Sequence, residues 1–532
     1  MKKYVNSPFP FALAAVVLAL ITLLSFRTRA ADSISTPSPS WPFSGQSLAN
    51  LWSQPAEMAI DRSNVNTLVV KWVFATGGDV SATPTVAGNV VYFPDWAGNL
   101  YAVAAETGSL MWSHQISDYN GVAGSVTRVS PAVSGNTLFI GDTQSFSAAH
   151  NGANLIAIDR NTGNRLWITE VETHPAALIT GSPVVVNGVV YQAISSMEEA
   201  LASYSNYACC TFRGSVVAVN AASGKKLWQT YDVPDNGGKV GSYSGGAIWQ
   251  PPAIDTTRGL LYIGTGNNYT VPSQVEQCEK YVITHHLNRI CTAVNDHADS
   301  ALALNLQTGA IKWTKKLRGY DVWNAACENP RPGINCPSPE GPDYDLPGAG
   351  PNLVGKIVGF GQKSGIYWAL NPSTGAIVWS QLVGPGGSIG GIEWGTASDG
   401  THIFVAIADA DGKQYTLLPS GQQINWGSWS ALDAATGKIL WQTADPTQGT
   451  MDLSSVSVAN GVMYAGSFDA TGHMYALNSA TGQILWSYAS GGSVIDAPSI
   501  VNGVLYWGSG YRKEAPGTGN NKVYAFALPA GN

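Results

Sequence analysis

The sequence predicts an all-β protein, an eight-bladed β-propeller of four-stranded antiparallel blades closed by its N- and C-terminal strands. Hydrophobic residues make up 45% of the chain and charged residues only 12%, which indicates a large core and excludes a disordered chain. The 59 glycines and 29 prolines are typical of many short strands joined by tight turns. An internal repeat that ends in tryptophan indicates the propeller architecture.

The repeat has the pattern A-x-(D/N)-x-x-(T/S)-G-x-x-x-W, in which a strand, a glycine turn and a second strand follow one another. The turn requires glycine because a positive φ costs little only there. We expect each tryptophan to cover the seam between neighbouring units. The repeat, or a close variant, occurs at Ala102–Trp112, Ala157–Trp167, Ala218–Trp228, Ala303–Trp313, Ala369–Trp379, Ala431–Trp441 and Ala476–Trp486.

A second strand pair lies between these motifs. Alternating apolar residues flank Asn-Gly at 183–191 and 499–506, which predicts a β-hairpin at each place. The hairpin and the tryptophan motif together make a four-stranded unit that resembles a propeller blade.

The eighth blade is expected to form from the two chain ends. Residues 523–528 begin the motif without reaching a tryptophan, while residues 68–72 supply a strand that ends in Trp72. Pairing these strands closes the ring and leaves no long open edge. An open solenoid is the structural alternative.

The N-terminus has the pattern of a secretory signal. Lys2 and Lys3 precede an apolar run at 9–26, and small residues follow before Asp32. We therefore expect a signal peptide at 1–31, a flexible lead-in at 32–40 and a single propeller domain at 41–532. An uncleaved N-terminal anchor is the alternative. Either interpretation predicts a periplasmic or secreted protein with no membrane span beyond this segment.

The chain has six cysteines, which fits a periplasmic or secreted protein because disulfides persist outside the cytoplasm. Two pairs, Cys278 with Cys291 and Cys327 with Cys336, are expected to join the ends of long loops. The adjacent Cys209 and Cys210 are left either as a vicinal disulfide or as partners of other cysteines. The sequence contains no C-x-x-C-H motif for a c-type haem and no paired C-x-x-C motifs for zinc. The net charge of −7 gives no basic excess for nucleic acid.

Four loop sequences restrict the choice of protein family. They are Trp-Pro-Phe-Ser-Gly-Gln at 41–46, Ser-Ser-Met-Glu-Glu-Ala at 195–200, Cys-Cys-Thr-Phe-Arg-Gly at 209–214 and Gly-Tyr-Asp-Val-Trp-Asn-Ala-Ala-Cys at 319–327. With the tryptophan repeat, they resemble the pyrroloquinoline quinone (PQQ) dehydrogenases, in the polyvinyl-alcohol-dehydrogenase-like branch of the quinoprotein alcohol dehydrogenases. The resemblance implies oxidation of an alcohol by hydride transfer to PQQ beside Ca²⁺. It also implies a polymeric or bulky secondary alcohol and an external electron acceptor such as a cytochrome c.

The resemblance also implies a set of cofactor-binding residues. Trp249 matches the family's stacking tryptophan, and Arg128 matches an arginine that pairs with a cofactor carboxylate. Lys363 falls where the family places a cation near the quinone oxygens. Thr180 and Ser195 are further candidates for polar contacts. The position of the adjacent cysteines differs from that in the methanol-oxidising relatives, so the opposite stacking face stays open.

The metal ligands implied in the same way are Asn267 and one of Glu198 and Glu199, and the ungapped register favours Glu198. Carboxylate and amide oxygens suit a hard cation such as Ca²⁺. A lanthanide is disfavoured, because it would want an additional carboxylate beside the base and the sequence does not place one.

The general base is an aspartate in the family, after a tryptophan. Here the corresponding residue of Asp321-Val-Trp-Asn324 is an asparagine, which cannot accept the alcohol proton. Asp343 is the first choice of base, with Asp345 and Asp321 in reserve, and any of them could instead cap a loop. The chemistry is expected in the long inserts at about 193–214, 228–313 and 318–363.

Two other functions remain open from the sequence. One is a non-enzymatic propeller scaffold that binds proteins, which would need the tryptophan repeat but not Trp249, Asn267, Arg128 and Lys363 together. The other is a PQQ-dependent polyol or aldose dehydrogenase.

Overall fold

The computed structural model describes residues 40–143, 152–328, 333–513 and 515–530. The expected signal peptide and all of the lead-in except Ser40 lie outside these residues. The described chain is almost entirely β, and eight four-stranded antiparallel sheets form an eight-bladed propeller. The expected fold class is confirmed.

The blades are numbered in chain order. Their strands are Thr85–Ala87, Val90–Pro94, Asn99–Ala104 and Leu110–Gln115 in blade 1; Ala132–Ser134, Thr137–Gly141, Ala153–Asp159 and Arg165–Glu172 in blade 2; Val184–Val186, Val189–Ser196, Ser215–Asn220 and Lys226–Tyr231 in blade 3; Ala253–Asp255, Leu260–Gly264, Ser300–Asn305 and Ile311–Lys316 in blade 4; Ala349–Val354, Ile357–Gly361, Ile366–Leu370 and Ile377–Leu382 in blade 5; Ala397–Ser398, His402–Ile407, Ser428–Asp433 and Ile439–Ala444 in blade 6; Val456–Ala459, Val462–Gly466, His473–Asn478 and Ile484–Ala489 in blade 7; and Ser499–Val501, Val504–Ser509, Lys522–Ala527 and Val69–Ala75 in blade 8.

The tryptophans lie at the seams between blades. In each motif the first alanine pairs across the strands with the tryptophan, as Ala303 does with Trp313. Each indole N–H then donates to a backbone carbonyl of the next blade, over 2.9 to 3.3 Å. The eight bonds are Trp72 to Ala105, Trp112 to Arg160, Trp167 to Ala221, Trp228 to Leu306, Trp313 to Pro372, Trp379 to Ala434, Trp441 to Ser479 and Trp486 to Leu68.

The turn glycine of one blade packs under the tryptophan of the blade before it. Gly309 has a φ of +71°, and a Cβ there would lie 2.5 Å from the ring of Trp228. A side chain at this position would strain the backbone and push the indole away. The glycine of the motif therefore serves both the turn and the seam.

The two chain ends close the ring. Strand Val69–Ala75 pairs with Lys522–Ala527 and brings Trp72 opposite Ala525, which completes the motif that the C-terminus lacks. On the other side Trp486 donates to Leu68. This pairing excludes the open solenoid.

Successive antiparallel strands place two kinds of loop at the same end of the ring. These are the loops between the second and third strands of a blade and the linkers from the fourth strand to the next blade. We call this end the loop face. Here lie helices α1 (Ile116–Asn120), α2 (Glu198–Leu201) and α3 (Ser273–Thr284). Shorter elements are the 3-10 turns Val65–Thr67 and Ala325–Cys327, the strand Ala177–Leu178, and the strand pairs Ser244–Gly245 with Asn268–Thr270 and Tyr415–Thr416 with Gln423–Ile424.

Disulfides brace the long inserts of the loop face. Cys278 bonds Cys291 across the insert that carries α3, and Cys327 bonds Cys336 in the next insert. Cys209 and Cys210 form the vicinal disulfide that the sequence left as one of two options. In the described residues, no helix has both the length and the apolar character needed to cross a bilayer.

A segment at 41–54, which we call the strap, covers the opposite end of the ring. It exchanges hydrogen bonds with the first strands of seven blades, at Val86, Val133, Ile254, Leu353, Ser398, Val458 and Ile500. Trp41 and Trp52 of the strap are buried. The strap therefore closes the axis away from the loop face, while the loop face carries a cavity.

Candidate active site

A cavity of about 570 Å³ lies at the axis of the loop face. All eight blades or their linkers contribute to its wall, from Trp96 in blade 1 to Tyr511 in blade 8. Because seven blades also hold the strap, the far end of the axis is covered. This volume is within the range of cofactor and ligand pockets.

One wall of the cavity is a pair of tryptophans. Trp249, the expected stacking residue, meets Trp394 edge to face with ring centroids 5.0 Å apart and an interplanar angle of 64°. The amide of Gln250 donates to the carbonyls of Gly348 at 2.9 Å and Trp394 at 3.3 Å, which fixes three successive linkers against one another. The indole of Trp249 thus offers a flat surface in a fixed position.

Arg128 lies at one end of the cavity among aromatic rings. Its guanidinium is 4.3 Å from the ring centre of Trp394 and 5.7 Å from those of Trp96 and Tyr511. Within the described ranges it has no hydrogen bond or ion pair. Such a cation, stacked on aromatic rings and without an anionic partner, is suited to a planar carboxylate ligand.

Thr180 and Ser195 also line the cavity. The hydroxyl of Thr180 is buried and has no partner among the described residues. Lys513 lies at the rim, with its ammonium 5.0 Å from the ring centre of Trp96.

Three carboxylates gather at another part of the site. Oxygens of Glu199, Asp343 and Asp345 lie within 4.8 Å of one another. Oε1 of Glu199 is buried without a hydrogen-bond partner in the described chain. Burial, and then the charge of Asp345, raise the pKa of Glu199 to about 8. The cluster therefore lacks positive charge that would hold all three groups ionised.

Lys363 joins the two aspartates. Its ammonium is 3.1 Å from Oδ2 of Asp343 and 3.1 Å from Oδ2 of Asp345. Burial alone would lower the pKa of Lys363, but the charges of Asp343 and Asp345 outweigh it and raise this pKa well above its usual value. The lysine is therefore a fixed cation, and its ammonium is 5.9 Å from the ring centre of Trp249.

The structure places Glu198 and Glu199, between which the sequence left the metal ligand open, in different surroundings. The carboxylate of Glu198 accepts hydrogen bonds from the backbone N–H groups of Thr211 and Phe212 and from the hydroxyl of Tyr207. It fixes the segment after the vicinal disulfide and does not line the cavity, whereas Glu199 does.

Asp321 supports the aspartate loop from outside the cavity. Its two oxygens accept the N–H groups of Asp343 at 3.0 Å and Tyr344 at 2.7 Å. These bonds hold Asp343 in the left-handed region, with a φ of +57°. Burial raises the pKa of Asp321 to about 6.

Asn267 contacts the site through its backbone. Its N–H donates to Oδ1 of Asp345 over 2.7 Å, while its side-chain amide donates to the carbonyl of Trp323. Asn267 is buried and is not among the residues that line the cavity. Its closest link to the cluster is therefore this bond to Asp345.

The vicinal disulfide is likewise outside the cavity wall. Cys209 and Cys210 are buried in the apolar core of blades 1 to 3, together with Phe212 and Tyr269. Residues that the sequence did not single out instead complete the wall, above all Trp394, Trp96 and Tyr511. None of them occupies a repeat position, so no periodic signal could identify them.

The site residues fit the cofactor chemistry expected from the sequence. A planar polyanion needs a flat platform and cations, which Trp249, Arg128 and Lys363 supply. A hard metal ion needs oxygen ligands, and Glu199, whose Oε1 has no hydrogen-bond partner among the described residues, lies in one cluster with the carboxylate of Asp345. These donors converge on one cavity and not on separate faces.

Known proteins resemble the chain in sequence and in fold. A family model described as outer membrane protein assembly factor BamB matches residues 63–208 and 425–528. A polyvinylalcohol dehydrogenase of Sphingopyxis sp. (strain 113P3) is 32% identical over 528 residues, covering 88% of this chain and 74% of the relative. Another, from Pseudomonas sp., is 30% identical over 516 residues, covering 90% and 74%. The quinohemoprotein alcohol dehydrogenase of Comamonas testosteroni has the same fold, with a TM-score of 0.66 at 18% identity over 94% of this chain and 82% of that one.

Proposed function

The chain belongs to the quinoprotein alcohol dehydrogenases, in the branch of the polyvinyl alcohol dehydrogenases, and on this basis we propose which alcohol, metal and acceptor it uses. It is a PQQ-dependent alcohol dehydrogenase. The proposed substrate is a polymeric or bulky secondary alcohol, and the proposed location is the periplasm or the exterior of the cell.

The observation that carries the proposal is the convergence in one cavity of an indole platform, a guanidinium without an anionic partner among the described residues, and a carboxylate cluster with a lysine. Trp249 would take one face of PQQ, Arg128 a carboxylate, and Lys363 the region of the quinone oxygens. Bound PQQ supplies the hydride acceptor, and a hard cation beside it supplies a Lewis acid.

The proposed metal is Ca²⁺, held by Glu199 and Asp345. Three carboxylates face one ammonium, so a divalent cation would neutralise the excess negative charge. A lanthanide is disfavoured from the sequence because no second carboxylate is placed beside the base. In the structure Asp345 is beside Asp343, which removes that objection and makes a trivalent ion the second metal to test.

The proposed base is Asp343. Both oxygens of Asp345 already have a donor, from Asn267 N–H and from Lys363, so Asp345 is fixed for metal coordination. Among the described residues the carboxylate of Asp343 is contacted by Lys363 alone, at 3.1 and 3.3 Å. Burial raises the pKa of Asp343 well above its usual value, and the charge of Lys363 opposes this rise. In its ionised form Asp343 would accept the alcohol proton. Asp321 positions the base by holding its backbone N–H.

The proposed acceptor is an external one-electron carrier such as a cytochrome c. The sequence has no C-x-x-C-H motif for a haem on this chain, so the electrons are expected to leave to a partner. A cavity at the loop face, covered at the far end by the strap, is consistent with exchange of substrate and electrons on that face.

The test is reconstitution. Purified protein is incubated with PQQ and either Ca²⁺ or La³⁺, then assayed for dye reduction with polyvinyl alcohol, short secondary alcohols, polyols and aldoses. The proposal expects turnover of polyvinyl alcohol and secondary alcohols with Ca²⁺. Turnover of aldoses alone would identify an aldose dehydrogenase instead, and higher turnover with La³⁺ would overturn the metal assignment.

A further inference from the structure

A second pocket, which we call the blade-6 groove, has a volume of about 340 Å³ and is separate from the active site. Its lining comes from the insert at 409–427, between the second and third strands of blade 6, from the end of the fourth strand of that blade, and from the linker that leads to blade 7. The insert and the linker belong to the loop face. The blade-6 groove therefore opens on the same side of the molecule as the catalytic cavity.

Trp426 is the aromatic residue of the blade-6 groove. Its indole N–H donates to the carbonyl of Asp445 over 2.9 Å, which fixes the ring on the linker. The ring has no aromatic partner in the described chain and is only partly buried. Unlike the seam tryptophans, it does not bridge two blades. It presents a fixed apolar surface to solvent.

Polar side chains with free hydrogen-bonding capacity flank this ring. Gln422 and Gln448 line the groove, are exposed, and have no side-chain hydrogen bond within the described residues. Ser420 and Thr443 also belong to the lining, and the hydroxyl of Thr443 already donates to the carbonyl of Gly482. An aromatic surface binds C–H groups, while amides and hydroxyls pair with alcohol groups. This combination suits a carbon chain that carries repeated hydroxyls.

The insert of the groove is tied to the rim of the catalytic cavity. The ammonium of Lys413 donates to the carbonyl of Gly386 over 2.6 Å. Gly386 precedes Ser388 and Ile389, which line the catalytic cavity. The insert that carries Trp426 is thus bonded directly to the linker that lines the catalytic cavity.

We propose that the blade-6 groove is an auxiliary binding site for a polyhydroxylated carbon chain such as polyvinyl alcohol, which it holds while another carbinol of the same chain is oxidised in the cavity. The proposal rests on the proposed polymeric substrate. A chain bound at two points on one surface gains affinity over a short alcohol, which reaches only the cavity.

The kinetic test uses Trp426→Ala, Gln422→Ala and Gln448→Ala in the reconstituted enzyme, with polyvinyl alcohol and the short analogue pentane-2,4-diol as probes. Tyr281→Ala, an exposed aromatic on α3, is the control. We expect Trp426→Ala to raise KM for polyvinyl alcohol about tenfold, with a smaller rise for the glutamine variants. The kcat/KM for pentane-2,4-diol should stay unchanged. An unchanged KM for the polymer, or equal losses on both probes, would overturn the proposal.

A binding test separates this proposal from the catalytic one. Electrophoretic retardation of the full chain in gels that contain polyvinyl alcohol or dextran needs no turnover. Wild type and Tyr281→Ala should be retarded by polyvinyl alcohol and Trp426→Ala much less. If retardation survives but no alcohol is oxidised, the catalytic proposal fails and the groove stands. Equal retardation of wild type and Trp426→Ala, or retardation by dextran alone, would overturn the groove proposal.

Discussion

Glu198 and Glu199 are neighbours in helix α2, yet their carboxylates have separate surroundings. Glu198 is held by the N–H groups of Thr211 and Phe212, whereas Glu199 is in the carboxylate cluster with a buried oxygen that has no partner in the part of the chain that the structure describes. Adjacent residues of a helix differ by about 100° in direction, so only one of the two can face the cavity. This relationship is the reason for proposing Glu199, and not Glu198, as the metal ligand.

Substitution of Glu199 should therefore have a different effect from substitution of Glu198. Glu199→Gln removes a proposed metal ligand and should weaken Ca²⁺ binding at least tenfold, measured by calorimetry of the PQQ-loaded protein, with little change in Tm of the metal-free protein. Glu198→Gln should instead lower Tm, because an amide cannot accept all the donors that the carboxylate does. Similar effects of the two variants on metal binding would contradict the assignment.

Substitutions of Asp343 and Asp345 should also have different effects. Asp343→Asn should lower kcat by at least about a hundredfold while the metal and PQQ stay bound, because the proton acceptor is lost. Asp345→Asn should chiefly weaken metal binding. Dye-reduction kinetics beside the calorimetric titration distinguish these results, and full activity of Asp343→Asn would refute its role as base.

The seam tryptophans should carry much of the stability. Trp441 is buried and donates to Ser479 over 2.9 Å, so Trp441→Ala should cost about 3–5 kcal/mol of unfolding free energy. Trp441→Phe should cost less, since it loses the hydrogen bond but keeps most of the apolar area. Thermal unfolding checks both, with the partly exposed neighbour in Leu440→Ala as the control. A Tm of Trp441→Ala equal to that of Leu440→Ala would show that the seam is not stabilising.

Much of this architecture could be predicted from sequence because its causes are local. The alanine and tryptophan of each motif pair across a glycine turn, and positive φ values at Asn187 and Gly188 form the turn expected for Asn-Gly. Closure of the ring could be predicted because the C-terminal strand lacks the tryptophan of the motif and the N-terminal strand supplies it as Trp72. These signals repeat along the chain, so each occurrence supports the others.

The remaining features depend on contacts between distant segments. The strap at 41–54 has no periodic pattern, and its hydrogen-bond partners are supplied by seven different blades. Trp394 follows a glycine-rich stretch outside the repeat, and its place beside Trp249 and Arg128 arises only when three linkers meet. The register of Glu198 and Glu199 was ambiguous because an insertion follows them before Arg213.

Stability should fall between mildly acidic and neutral pH through Asp409. Burial raises the pKa of Asp409 to about 6, above the value of 3.8 for a free side chain. The folded protein thus holds a proton that the unfolded chain releases, so this stabilisation is present below about pH 4 and is lost as pH rises through 6. Asp409→Asn keeps the acceptor for the N–H of Lys413 but cannot ionise.

The Tm of wild type relative to Asp409→Asn, measured from pH 4 to 8, should therefore decrease with rising pH. A difference in Tm that is constant over this range would show that Asp409 titrates alike in the folded and unfolded chains.

The most direct measurement of the central claim is a titration of the metal-supplemented protein with PQQ, followed by quenching of tryptophan fluorescence. The proposed cavity predicts one saturable site per chain, with affinity at least about tenfold lower in Trp249→Ala and in Arg128→Gln because each removes one of the three proposed contacts to PQQ. Absence of saturable binding in wild type, or unchanged affinity in both variants, would contradict the placement of PQQ in this cavity.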